Sequence, residues 1–377
     1  MITNDNQRII IGMYDGFGLD YLEASSMPNL KGMIAQGFYK EVKAILPTVT
    51  NANNVSICCG CRPNAHGITG NSYFNEANGE CDYMENSDFI LVPTIIQRAA
   101  SRGIKSALLT CKVKTLNLLA GGAEIAIAAE TPSVECVEKY GEPPDIYTSE
   151  INYWLWKVAI DILKNRPEIG LIYVHTTDFP MHAWAPSEKE SLEHMATLDQ
   201  LLGEARDAAP DAAFFITADH GMNYKTRCWN LVKACGERGL ELRFALSAER
   251  DKYLRHHRSY GGTAWVWLKS PTDTPKAMEI IKGLAGVEEV LTREVAATRF
   301  NLMPERIGEL VVIGDMDTVF GESSVALEVL ESGYRSHGSL HETDVPLIIY
   351  NQSGILPKRE EFSCNADLTR FLADAWR

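Results

Sequence analysis

Short apolar runs alternate with segments of helical period along most of the chain. The runs Arg8–Tyr14, Gly37–Ile45, Ser106–Thr110, Gly170–His175 and Ala212–Thr217 are largely apolar without strict alternation, as strands buried on both faces are. Between them Pro28–Gln36, Leu91–Ser101, Glu150–Lys164 and Glu188–Ala208 predict helices. In the last, Leu192, Met195, Leu198, Leu201 and Leu202 recur at helical spacing. The alternation predicts an α/β fold with a mostly parallel central sheet flanked by helices.

From about Thr226 to Asn301 the texture changes. Charges gather in Glu249-Arg250-Asp251-Lys252 and Arg255-His256-His257-Arg258, Thr263–Leu268 alternates like a strand, and Pro275–Leu284 reads as a helix. This predicts a small α/β cap, residues 226–301, inserted into a core formed by 1–225 and 302–377, with the core resuming at Gly308–Ile313. No internal repeat or low-complexity segment is evident.

With 45% hydrophobic and 23% charged residues in 377, the composition is that of an ordinary soluble globular protein. A formal net charge of −14 argues against a nucleic-acid polymer as partner, which would need a basic stripe. It permits a small anionic substrate, because metals and a few lysines can make one site locally positive. Residues Met1–Arg8 lack the charged and apolar regions of a signal peptide, and no stretch reaches the ~18 apolar residues of a membrane span. Nine cysteines, with Cys58, Cys59 and Cys61 clustered, read as reduced thiols of a cytoplasmic protein. Cys58-x-x-Cys61 has redox spacing but no second pair or helix-start context. The acidic surface permits a monomer or a homodimer.

Three carboxylates follow three apolar runs: Asp15 after the first, Asp178 after Leu171–Val174, and Asp219 after Phe214–Thr217. In a parallel sheet, ligands gather beyond the carboxyl ends of the strands. One such Asp alone is better explained as a cap. Here His182 follows Asp178 by four residues, one helical turn, and His220 directly follows Asp219. His337 precedes the flexible Gly338. Carboxylate oxygen plus imidazole suits zinc or a similar divalent ion, and three Asp, three His and a hydroxyl suit two of them. The hydroxyl is Thr50, ahead of the helix-like Val55–Cys59, where a helix dipole and a metal would lower its pKa. Thr48 is its rival on position alone.

The set Tyr14-Asp15-Gly16, Thr50-Asn51-x-Asn53-Asn54, Gly60-x-x-Pro63-x-x-His66-Gly67-Ile68, Thr177-Asp178-x-x-x-His182, Ala218-Asp219-His220-Gly221-Met222 and Ser336-His337-Gly338 resembles the alkaline phosphatase superfamily. Within it, the resemblance is to the branch of nucleotide pyrophosphatase/phosphodiesterases and phosphonoacetate hydrolases. The resemblance implies Thr50 rather than Thr48 as nucleophile, Asp178, His182 and His337 on one zinc, and Asp15, Asp219, His220 and Thr50 on the other. It implies Asn71 as a donor to a phosphoryl oxygen and Lys112 and Lys114 as a clamp on a substrate carboxylate. If the segment is extended, both lysines point to the same side.

The reaction so implied is cleavage of the carbon–phosphorus bond of phosphonoacetate through a phosphothreonine. Nucleotide pyrophosphatase or phosphodiesterase chemistry at the same metals is the alternative. A binding protein without turnover is disfavoured by the intact metal set and Thr50. His66 reads as a loop-ordering residue, His341 as the competitor of His337, and Trp184 as packing. Arg255, His256, His257 and Arg258 read as a solvated face, with the arginines able to close over an anion.

Overall fold

The computed structural model describes residues 7–376; the expectation about a leader segment rests largely on residues 1–6, outside that range. Eleven strands and nine helices position the site. The strands are β1 (Ile9–Met13), β2 (Phe38–Lys43), β3 (Lys105–Thr110), β4 (Ile125–Ala128), β5 (Ile169–His175), β6 (Ala213–Thr217), β7 (Leu242–Ser247), β8 (Thr263–Leu268), β9 (Val287–Thr292), β10 (Leu310–Gly314) and β11 (Asp344–Tyr350). The helices are α1 (Pro28–Gln36), α2 (Thr50–Cys59), α3 (Val113–Leu119), α4 (Glu150–Asn165), α5 (Phe179–Ala183), α6 (Lys189–Ala208), α7 (Leu254–His257), α8 (Thr274–Lys282) and α9 (Asp367–Ala375).

The central sheet has seven strands in the order β2-β11-β6-β1-β5-β3-β4. All are parallel except β11, which runs antiparallel to both neighbours. Its central strands β1 and β6 are buried at every residue, which is why their sequences are uninterrupted apolar runs. Helices α1, α4 and α6 pack as one group and α2 and α9 as another. Trp156 of α4 stacks on Tyr14, just past β1, with ring centroids 5.7 Å apart.

A second, antiparallel sheet has the order β7-β8-β10-β9. The run Gly308–Ile313, read as the core resuming, corresponds to β10 and lies inside this sheet, between β8 and β9. The core sheet resumes only at β11. A short apolar run carries no record of which sheet it joins. The second sheet packs Leu246, Trp265, Val311 and Ile313 against Leu46, Val49 and Ala52, and so buttresses the start of α2, where Thr50 sits. Among the described residues no helix is long and apolar enough to cross a membrane.

Candidate active site

Strand register sets the site. Met13 is level with both His175 and Thr217, and Thr110 is level with His175. The chain therefore leaves β1, β3, β5 and β6 at one edge, and Asp15, Lys112, Asp178 and Asp219 follow within three residues. The backbone N–H of Asp15 donates to Thr176 Oγ1 at 2.9 Å, and that of Gly16 to Asp219 Oδ1 at 3.0 Å. Gly16 has φ +76°, and a Cβ there would lie 3.1 Å from atoms of both Asp178 and Met181. Only glycine lets the turn close this tightly.

The three predicted histidines share one arrangement. Nδ1 of His182 lies 2.8 Å from the Arg335 carbonyl, Nδ1 of His220 2.9 Å from that of Gly221, and Nδ1 of His337 2.7 Å from that of Thr48. A carbonyl only accepts, so each Nδ1 carries the proton and each Nε2 offers a lone pair. Those lone pairs face carboxylates: His182 Nε2 is 2.9 Å and His337 Nε2 3.7 Å from Asp178 Oδ2, and His220 Nε2 is 3.4 Å from Asp219 Oδ2 and 3.5 Å from Asp15 Oδ1. A lone pair turned on an anion needs a cation between the two: a proton suffices for the hydrogen bond of His182 to Asp178, whereas His220 and His337 are left without one. Asp15 Oδ1, Asp219 Oδ2, His220 Nε2 and His337 Nε2 are buried without a hydrogen-bond partner. Ligand atoms of Asp178, His220 and His337 form one compact group, and those of Asp15, Asp219 and His220 a second. The donor set and its orientation fit divalent metal ions.

The charges couple strongly. Burial and Asp178 push the Asp15 pKa up, but Lys112 and the bond from His175 outweigh them and hold it well below the carboxylate range. Burial and Asp15 push Asp219 well above that range. Burial, aided by His337, lowers His220 to about 3. The two neighbouring carboxylates are thus pushed in opposite directions, because only Asp15 has an ammonium group beside it.

Both lysines are buried, and neither lies on an extended segment. Lys112 caps α3 and Lys114 stands in its first turn, so the same-side arrangement expected of a strand does not arise. Lys112 Nζ bridges Asp15 Oδ2 and Asp178 Oδ1, each at 2.8 Å. Lys114 Nζ is 2.6 Å from Asp251 Oδ2. Both ammonium groups lie over the Tyr253 ring, 5.9 and 5.4 Å from its centroid.

Thr50 is buried at the first turn of α2. The adjacent Asn51 N–H donates to Asn71 Oδ1 at 3.0 Å, which brings Asn71 beside it. Thr48 instead organises the loop around His337. Its hydroxyl donates to the Ser339 carbonyl and accepts from Gly338 N–H, while its carbonyl aims His337. His341 lies away from the cluster and pairs with Glu288 at 2.7 Å. His66 accepts from Ile68 N–H and bonds Ser56 at 2.8 Å, ordering its loop. Trp184 packs edge-on against Phe179.

The solvated face expected at 255–258 is corrected for its histidines: His256 and His257 are buried, because α7 packs on α5. Arg255 instead lies over Tyr147 and Arg258 over Tyr260. His257 Nδ1 accepts from Ser259 N–H, so its Nε2–H points at Glu249 and Asp251, 3.3 and 3.2 Å away. That is the reverse of His182, His220 and His337, and it makes this acidic group an internal hydrogen-bond network. Glu249 also accepts from Asn71. Sequence reasoning missed Glu249 and Asp251, hidden in an ordinary-looking charged run, and the role of His175, whose Nε2 lies 3.2 Å from Asp15 Oδ2. A polar residue closing an apolar strand was the available signal for the last.

Residues 9–339 match the family described as type I phosphodiesterase / nucleotide pyrophosphatase. A venom phosphodiesterase of Naja atra is 26% identical over 231 residues, 58% of this chain, and the match spans only 26% of that relative. Phosphonoacetate hydrolase from Sinorhizobium meliloti 1021, solved with phosphonoacetate and with phosphonoformate, is 28% identical with a TM-score of 0.87, covering 99% of this chain and 96% of that one. Murine ectonucleotide pyrophosphatase / phosphodiesterase 5, at 16% identity and a TM-score of 0.69 over 98% of this chain and 95% of that one, shares the fold. These similarities indicate a hydrolase of phosphoester or phosphonate type with an alkaline phosphatase-like fold. By its match over residues 9–339, the chain belongs to the type I phosphodiesterase / nucleotide pyrophosphatase family.

Proposed function

We propose that the protein is a di-zinc hydrolase that cleaves the carbon–phosphorus bond of phosphonoacetate to acetate and phosphate. The observation that carries this reading is the pair of buried lysines, Lys112 and Lys114, beside a cluster built to hold divalent ions. Similarity to the Sinorhizobium meliloti enzyme over nearly the whole chain supports it. Asp178, His182 and His337 would hold one zinc, and Asp15, Asp219, His220 and Thr50 the other. When bound, two zinc ions lower the pKa of the Thr50 hydroxyl and neutralise charge on the phosphoryl oxygens.

Thr50 Oγ1 gives up its proton to water and attacks phosphorus as the phosphorus–carbon bond breaks. The electron pair moves to the carboxymethyl carbon, which leaves as an enolate-like anion and takes a proton from water to become acetate. Water then cleaves the phosphothreonine, releasing phosphate and restoring Thr50. A bare carbanion is a poor leaving group, so the adjacent carboxylate must be held by cations. Lys112 and Lys114 supply them, and Asn71 donates to a phosphoryl oxygen.

Lys114→Ala tests the clamp. It should lower kcat/KM for phosphonoacetate on the order of 100-fold, the scale of a lost charge-assisted bond, while aryl phosphodiester cleavage changes only a few-fold. Unchanged phosphonoacetate turnover would rule the clamp out. A nucleotide phosphodiesterase is the second reading. It is favoured by a groove of about 770 Å³ lined by Tyr83, Trp229, Phe244 and Phe320, which reaches Asp251, the partner of Lys114.

A further inference from the structure

His256 is buried, and neither of its ring nitrogens has a hydrogen-bond partner. A buried ring nitrogen without a partner is destabilising where it stands, so its place in the fold needs a reason. Packing alone would be served better by phenylalanine, since the ring already lies among Tyr147, Phe179 and Tyr253, at centroid distances of 4.8, 5.5 and 6.1 Å. On its other side it lies parallel to His182, 5.8 Å away with 15° between the planes. The Tyr253 ring is the common wall: Lys112 Nζ, Lys114 Nζ and the His256 ring all lie within 6.1 Å of its centroid. Tyr253 is itself fixed, its hydroxyl donating to Glu130 Oε2 at 2.6 Å and its N–H to Asp251 Oδ1 at 2.8 Å.

We infer that His256 is a specificity-determining residue: its imidazole N–H donates to the substrate carboxylate, completing with Lys112 and Lys114 a three-donor receptor around Tyr253. This rests on the phosphonoacetate reading and adds a donor to it from the second-sheet side of the molecule. A carboxylate accepts several bonds at once, and two ammonium point charges fix its position but not its plane. An N–H on a rigid ring supplies the missing direction, and α7 holds that ring against α5, the helix that carries His182. A phosphonate without a carboxylate gains nothing from it.

The test uses the zinc-loaded full chain in a Thr50→Val background, where turnover is blocked, with phosphonoacetate and methylphosphonate titrated by calorimetry. The parent should bind phosphonoacetate at least about tenfold more tightly than methylphosphonate. His256→Phe, which keeps the ring and its packing, should weaken phosphonoacetate about tenfold and leave methylphosphonate unchanged. His256→Asn, which restores a donor, should recover part of the loss. Equal phosphonoacetate affinity in the parent and His256→Phe overturns the inference, as does equal loss for both ligands, which would mark a packing role. A parent that prefers the carboxylate while the Thr50 protein releases no phosphate from phosphonoacetate would refute the C–P reading and leave the His256 receptor standing. A parent with no preference for the carboxylate refutes both.

Discussion

An imidazole has two nitrogens, and at His182, His220 and His337 a backbone carbonyl fixes which of them keeps the proton. The same residue type does the opposite at His257, where a backbone N–H takes Nδ1 and turns a proton on the carboxylates. That single difference separates a metal-facing group from a network that holds Asp251, and through it Lys114. That Asp15, Asp178, Asp219 and the three histidines would gather at one sheet edge was readable from the chain, because carboxylates at strand ends and a four-residue Asp–His spacing are local signals. The orientations of His182 and His337 were not, because each depends on a carbonyl brought from far along the chain, that of Arg335 and that of Thr48. The setting of Lys112 was equally hidden. Its ammonium competes with any divalent ion for Asp15 and Asp178. Lys112→Met should therefore destabilise the metal-free protein by about 3–5 kcal/mol, the cost of breaking a buried pair, and tighten zinc binding by more than about tenfold. Chelator competition and metal-free melting measure the two, and unchanged zinc affinity would contradict the competition.

At the scale of elements, the site is made by register and by one helix start. β1, β3, β5 and β6 end level, and α2 begins where the loop 45–49 delivers it. Asn53 ties that loop down: its Oδ1 accepts from Ile45 N–H and Asn365 Nδ2, and its Nδ2 donates to the carbonyls of Ile45, Pro47 and Val49. Asn53→Ala should cost about 2–4 kcal/mol in denaturant unfolding and loosen zinc, because Thr48 of the same loop aims His337. Full stability and metal content in that variant would show that the loop holds without it. The central strands and long helices were legible from unbroken or periodic apolar runs. β10 was not assigned to its sheet, because it is buried at every residue just as the core strands β1 and β6 are. The burial of His256 and His257 was hidden by composition: Arg255-His256-His257-Arg258 looks solvated until α5 is placed against α7.

For the whole molecule, burial of neutral histidines sets an acid limit. His66 and His194 are each lowered from 6.5 to about 3, in both chiefly by burial. Between those values the unfolded chain binds a proton that the folded chain does not, so stability rises with pH across the window and falls on acidification. Each histidine contributes a loss of about 2 kcal/mol between about pH 6.5 and pH 5, at 1.36 kcal/mol per unit. In urea unfolding of metal-free protein, His194→Gln should show a pH 7 to pH 5 difference smaller than the parent's by about that amount. An equal difference would mean that His194 is protonated in the fold. The largest arrangement, a core sheet whose edge carries the clustered carboxylates and histidines and a second sheet with Tyr253 and His256 on the connection between β7 and β8, gives the lysines their setting.

The most direct measurement is phosphate release from phosphonoacetate by the zinc-loaded protein, with p-nitrophenyl thymidine monophosphate run beside it. A carboxylate clamp at Lys112 and Lys114 requires strong release from phosphonoacetate and weak diester cleavage. Diester cleavage alone would keep the fold, the metal-facing histidines and Thr50, but would contradict the carboxylate clamp and move the substrate to nucleotides.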